Sequence, residues 1–179
     1  WHRRLLTVED TAELQVYHDH WLRMETRRER PDGTPEVDMN DCLKSSLRMR
    51  PDRIIVGEVR GPEAATLLTA MNTGHDGSFG SLHANTAQET VTRMINPPML
   101  VPPIMLTGLD LIIIQARLHV NGKTARKITE VAEIAGMEGT KPRLNVIWKY
   151  NPANDRIEET GIPSKMRETI CQAAGITPD

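Results

Sequence analysis

Aromatic side chains are scarce, with three Trp, two Tyr and one Phe in 179 residues, so any core has to be built from Ile, Leu, Val, Met and Ala. Cysteine is nearly absent as well: Cys42 and Cys171 stand far apart and make neither a metal quartet nor a disulfide framework, which fits a reducing cytoplasm. No long apolar run exists. The strongest, residues 109–116, contains Asp110 and Gln115 and falls short of the ~20 residues that span a bilayer, so no transmembrane segment is expected. Neither charge sign dominates, since 22 Lys and Arg face 24 Asp and Glu for a net charge of −2. That balance gives no broad electrostatic grip on nucleic acid or an anionic membrane. A secretory leader pattern is missing too, and the chain opens on Trp1 rather than Met, as a piece of something longer would.

What is present is an ordinary globular composition, 39% hydrophobic and 26% charged, in a length that suits about one domain. The segment Leu5–Val8 is short and β-prone and delivers Glu9 and Asp10 at its carboxyl end. A polar, arginine-rich passage runs from Asp19 to Gly33, and its segment from Arg27 to Gly33 reads as a loop or hairpin end, because Pro31, Asp32 and Gly33 are turn residues. From Asp38 the spacing of Met39, Leu43 and Leu47 predicts a helix that stops before Pro51. Arg53–Val56, apolar without alternation, predicts a strand covered on both faces and ending at Gly57 and Glu58. Pro62 opens a helix that Gly74 ends, a short strand follows around Phe79–Leu82, and Thr86 to Glu89 has capping-box spacing for a third helix through Met94.

Beyond the Pro97-Pro98 pair the character changes. Leu111–Leu118 and Lys127–Ile134 are rich in β-formers and are joined by Asn121-Gly122, a hairpin signal. Leu144–Tyr150 adds a strand, and Ser164 caps a closing helix in which Met166, Ile170 and Ala174 share a face before Gly175. The alternation of strand and helix in the first part argues for a parallel α/β sheet.

Open α/β sheets bind ligands beyond the carboxyl ends of their strands. Glu58 stands there after one strand and Glu9 after another, while His83 follows the Ser81-Leu82 strand. Three strand ends are thus expected to present Glu, Glu and His to one crevice. Carboxylates in such a place hold Mg²⁺ or orient water, and an imidazole contacts a phosphate oxygen.

These residues resemble a known family. Thr7-Val8-Glu9-Asp10-Thr11-Ala12-Glu13-Leu14 is similar to the Asp box of the secretion-system motor ATPases, which serve type II and type IV secretion, type IV pili and archaella. The segment from Leu47 to Arg60 resembles their Walker B region, Thr73–Asn85 their His box, and Arg126–Val131 a later strand of the same domain, all in the family's order. The resemblance implies an α/β fold: a truncated RecA-like P-loop NTPase domain with a parallel sheet core over residues 1–137, then a mixed β extension and closing helix over 138–179. It assigns Glu58 to the Walker B carboxylate near Mg²⁺ and the attacking water. Glu9 becomes the Asp-box acid that helps place that water or ion, and His83 the histidine reaching toward the γ-phosphate. His75 takes the first His-box position, where a structural role with a backbone partner stands beside a direct one. Arg27, Arg28 and Arg30 fall where the family carries arginines between its acidic boxes, so each is either a finger to a nucleotide or part of a solvated basic loop. Arg60 pairs locally with an acid or serves the phosphates.

One part of the family pattern is missing. ATP binding in this class uses a Gly-rich P-loop with its Lys, and no such loop occurs in the chain. Gly122-Lys123-Thr124 is a decoy, because the first glycine of the pattern would fall at Arg117 and the tripeptide sits in an expected hairpin. The expectation is therefore a carboxyl-terminal part of a motor ATPase that uses Mg²⁺ and ATP when intact, while these 179 residues alone are inactive and bind neither tightly. The resemblance further implies a cytoplasmic homo-hexamer acting on an inner-membrane platform protein, without direct nucleic-acid binding. Two distant cysteines leave no room for the tetracysteine zinc insertion of many bacterial type II members. Two alternatives remain at this point: a non-enzymatic interaction module of the same machinery, and a RecA-like NTPase that moves nucleic acid.

Overall fold

The computed structural model describes residues 2–120 and 122–177. The chain forms two compact units, one running to Leu82 and taking in Met94–Pro102, the other made of His83–Arg93 and the chain from Pro103 onward.

The first unit is built on β1 (Leu5–Glu9), β2 (Trp21–Glu25), β3 (Arg53–Val56) and β4 (Phe79–Gly80), all parallel, in the order β2-β1-β3-β4. Leu6, Thr7, Val8, Ile54 and Val56 are buried, as the unbroken apolar runs of two central strands require. α1 (Met39–Leu47) links β2 to β3, and α2 (Glu63–Asn72) links β3 to β4. A reciprocal box starts α1: Asp38 accepts from the Asp41 N–H at 2.7 Å, and Asp41 accepts from the Asp38 N–H. α1 buries Cys42 and Leu43, and α2 buries Ala64, Leu67, Leu68 and Ala70, so small and branched aliphatics make the core that the few aromatics cannot.

β2 lies inside the polar passage, where no strand is expected. It is an edge strand whose Arg23 and Glu25 are exposed, so it carries little of the apolar signal by which strands are recognised. Its register is fixed instead by Trp21, whose indole N–H donates to the Thr7 hydroxyl at 3.1 Å while the Arg23 guanidinium lies 4.7 Å over the ring. The hairpin end expected around Pro31–Gly33 is present, closed by the Arg27–Val37 bridge. α3 (Ala87–Ile95), within which the two units divide, realises half of its expected box. Thr86 accepts from the Glu89 N–H at 3.0 Å, but the Glu89 carboxylate accepts from the Asn85 N–H and side-chain amide, each at 2.9 Å.

In the second unit β5 (Ile112–Val120), β6 (Lys123–Glu138), β7 (Lys141–Asn151) and β8 (Arg156–Glu159) form an antiparallel sheet in chain order. Asn121 of the expected turn lies outside the described residues; Gly122 has φ +73°, and Val120 pairs with Lys123. Gly122-Lys123-Thr124 is therefore hairpin, as expected. β6 runs longer than its β-rich stretch because bulges near Ala132 and Gly136 let it bend while its pairing continues. Residues 137 and 138 are the last two of β6. The unexpected β8 follows a turn in which Asp155, at φ +58°, is ion-paired to Lys127 and accepts from the Tyr150 hydroxyl at 2.7 Å.

α4 (Lys165–Ala174) starts at Ser164 and ends at left-handed Gly175, as expected, but its buried residue is Cys171 and Ile170 is exposed. What fixes it is Glu133 of β6. This buried carboxylate accepts from the Ser164 hydroxyl and from the Lys165 and Met166 N–H groups at 2.8 and 3.1 Å, closing the orphan donors of the helix start.

Two outcomes follow for the second unit. Glu133→Ala is expected to lower unfolding free energy by about 1–3 kcal/mol, read from urea denaturation, with loss of helical circular dichroism from α4. Asp155, held below the usual carboxylate range first by the Lys127 bond and then by Tyr150, stabilises the fold above the unfolded-state value of about 3.9. That contribution is lost as pH falls through the lowered folded value, so the deficit of Asp155→Asn in thermal melts should be full at pH 7 and shrink in acid.

Candidate functional site

A cleft of about 490 Å³ opens at the carboxyl ends of β1 and β3 in the first unit. Seven carboxylates and two guanidinium groups line it, an excess of negative charge that suits a cation or a cation-bearing anion. Glu9 and Glu58 both face it. The parallel register sets Val8 beside Val56, which brings Glu9 alongside Gly57. The approach is close: a Cβ on Gly57 would lie 3.0 Å from the Glu9 Cγ, so glycine there leaves room for the acid.

Glu9 is buried, and its Oε1 accepts from the Glu13 and Leu14 N–H groups at 3.0 and 2.8 Å, folding the following loop back over the strand end. Its neighbour Asp10 accepts from the Thr26 hydroxyl at 2.6 Å, and the Thr26 N–H donates to the Glu9 carbonyl at 3.0 Å, which ties this loop to the end of β2. Glu58 is less enclosed and is ion-paired to Arg60, and that bond holds the guanidinium above its already high ordinary value.

Sequence reasoning passed over Glu63. It is buried at the first turn of α2, where Pro62 has no side-chain cap to offer, and its Oε1 accepts from the Arg60 and Gly61 N–H groups at 2.6 and 2.7 Å. Glu63 thus fixes the loop that carries Glu58 and Arg60. An acid at the start of a helix that opens on Pro was the available signal.

Of the three arginines between the acidic boxes, Arg28 lines the cleft. Arg27 donates to the Pro35 carbonyl at 3.2 Å, and Arg30 forms the turn with Gly33 and Thr34, so both belong to the hairpin. His75 has its Nδ1 3.3 Å from the Ala70 carbonyl oxygen at the end of α2, and its own carbonyl accepts from the Ser78 hydroxyl at 2.7 Å. It seats the His-box loop. His83 falls in the second unit, where it lines a different cavity with Asn85, Arg93 and Arg117.

Among the described residues no group of three or more His, Cys, Asp or Glu is placed to hold a metal ion.

Glu63→Ala would leave two loop N–H groups without acceptors, at a cost of about 1–3 kcal/mol. Native-state hydrogen exchange should accelerate at Arg60 and Gly61 and stay unchanged at Glu13 and Leu14; acceleration at all four would refute separate clamps.

The model of the family "Type II/IV secretion system protein" matches residues 1–155. An uncharacterized protein of Methanocaldococcus jannaschii is 35% identical over 179 residues, covering 97% of this chain and 64% of that protein. A putative conjugal transfer protein of Mycobacterium tuberculosis is 40% identical over 153 residues, covering 80% of this chain and 42% of that one. Among solved structures, the VirB11 ATPase of the Brucella suis type IV secretion system aligns with a TM-score of 0.58 and 27% identity, over 73% of this chain and 40% of that one. The chain thus spans less than two thirds of the length of these relatives. A truncated RecA-like ATPase domain, α/β with a parallel sheet and an antiparallel one, fits this likeness. With the Glu9 and Glu58 boxes in order and a family model matched over most of its length, the chain belongs to the type II/IV secretion system protein family.

Proposed function

We propose that the chain is the carboxyl-terminal share of a motor ATPase that drives protein secretion or the assembly of a pilus or archaellum. The observation that carries this reading is the placement of Glu9 and Glu58 in one acidic cleft at adjacent parallel strand ends, in a chain of this family. Glu58 takes the proton of the attacking water or orients it, and Arg60, ion-paired to that carboxylate, holds it in place. Glu9 holds its loop shut through one oxygen, and the other would contact the water shell of an ion when one is bound. Mg²⁺, when bound, neutralises phosphate charge. Arg28, on the cleft wall, is the arginine we assign to a phosphate there.

No Gly-rich phosphate loop occurs among these residues, so the phosphate cradle comes from elsewhere in the working protein. β4 is an open edge of two residues with Phe79 exposed, which leaves a place for a further parallel strand. The working form is a cytoplasmic homo-hexamer that acts on an inner-membrane platform protein. No helix among the described residues is long and apolar enough to cross a membrane.

ATP hydrolysis by the chain extended upstream through its natural coding sequence tests this. The expected result is Mg²⁺-dependent turnover that Glu58→Gln lowers by about 10²-fold or more, with no turnover by the 179 residues alone. If the assembled, extended protein hydrolyses nothing in either form, the chain is a non-enzymatic interaction module of the same machinery.

A further inference from the structure

Glu58 is carried on a short loop, residues 57–61, and its aim depends on what holds that backbone. Glu63 accounts for the far end, where it accepts from the Arg60 and Gly61 N–H groups. At the near end β1 supplies the Val8 carbonyl, which accepts from the Gly57 N–H at 2.9 Å. Further contacts come from the segment that continues β4. Because Ile55 and Val56 pair with Phe79 and Gly80 in parallel register, the next residue, Ser81, arrives alongside Gly57. The approach is tight: a Cβ on Gly80 would lie 3.0 Å from both the Val59 Cγ2 and the Leu67 Cδ2 atoms. Ser81 uses that closeness on both sides of Glu58. Its hydroxyl donates to the Gly57 carbonyl, and its carbonyl accepts from the Val59 N–H at 2.7 Å. Val59 is itself buried, so the second of these contacts is anchored in the core.

We infer that Ser81 is a positioning residue for the hydrolytic step, acting through the backbone of Gly57 and Val59 on the direction of the Glu58 carboxylate. The inference rests on the ATPase reading. A carboxylate that orients or deprotonates water has to be held to a fraction of an ångström, and a misplacement of about 1 Å costs up to about 10²-fold in rate. The ion pair with Arg60 fixes the tip of the Glu58 side chain, whereas contacts on the two flanking residues fix its root. Of those contacts the hydroxyl bond is the one a side chain supplies, so substitution removes it while the strand pairing stays. Ser81 does not line the acidic cleft, which separates its effect on geometry from contact with a nucleotide there.

The upstream-extended protein provides the test, with Mg-ATP affinity from calorimetry and hydrolysis of bound ATP followed in a single turnover. Ser81→Ala is expected to slow the bound-ATP step about tenfold at unchanged affinity, and Ser81→Thr, which restores the hydroxyl, to stay within about twofold of wild type. Because the rate is read per bound nucleotide, a loss of folded protein does not imitate the effect. In a Glu58→Gln background Ser81→Ala should add no further loss, since it acts through the carboxylate already removed. A full rate in Ser81→Ala beside a disabled Glu58→Gln variant would overturn the inference and leave the ATPase reading standing. So would a slow Ser81→Thr, weakened ATP affinity in Ser81→Ala, or an undiminished Ser81→Ala effect in the Glu58→Gln background. A wild type without turnover, or full turnover by Glu58→Gln, would overturn both.

Discussion

Everything at the acidic cleft depends on the close passage of Gly57 against the Glu9 side chain. Parallel pairing of β1 with β3 sets two strand ends side by side, and the absent side chain at Gly57 lets a carboxylate lie between them. From there Glu9 reaches back to two loop amides while Glu58 continues outward on the adjoining strand end. A larger residue at 57 would have to displace the acid or part the strands, and either change moves both carboxylates at once.

The same device recurs in three places. Glu9, Glu63 and Glu133 are all buried, and each accepts from backbone N–H groups at the start of a loop or helix. A buried carboxylate without partners is costly, whereas one that accepts two or three N–H donors both satisfies itself and locks a backbone segment. The chain thus uses acids where turns are commonly closed by Ser, Asn or Gly. That is one reason its near-neutral total says little about local fields: the carboxylates gather in the first unit's cleft, and the opposed Arg117 and Arg126 stand in the second unit.

Much of the fold was legible because its signals are local. Leu5–Val8 and Arg53–Val56 announce buried parallel strands by unbroken apolar runs, and Asp38, Ser164 and Gly175 announce helix ends by residue type. β2 and β8 were not legible, since an edge strand with alternating charge owes its place to a neighbour's free hydrogen bonds rather than to its own hydrophobicity. The acids Glu9 and Glu58 could be read from their position after strands. For Glu63 the sequence carries only the signal of an acid at a helix start, because its role lies in amides that only the folded loop brings together. The structure brings two of the three expected groups to one cleft and places His83 in the other unit, which strand order alone does not reveal.

The most direct test of the central claim, that Glu9 and Glu58 form one half of a nucleotide-hydrolysing site, is a crystal structure of the upstream-extended protein with Mg²⁺, ADP and aluminium fluoride. The account predicts the fluoride and its attacking water beside Glu58, with Glu9 at the water shell of the ion and its hold on the Glu13 and Leu14 amides intact. Nucleotide bound away from this cleft, with Glu58 still closed on Arg60 alone, would contradict it.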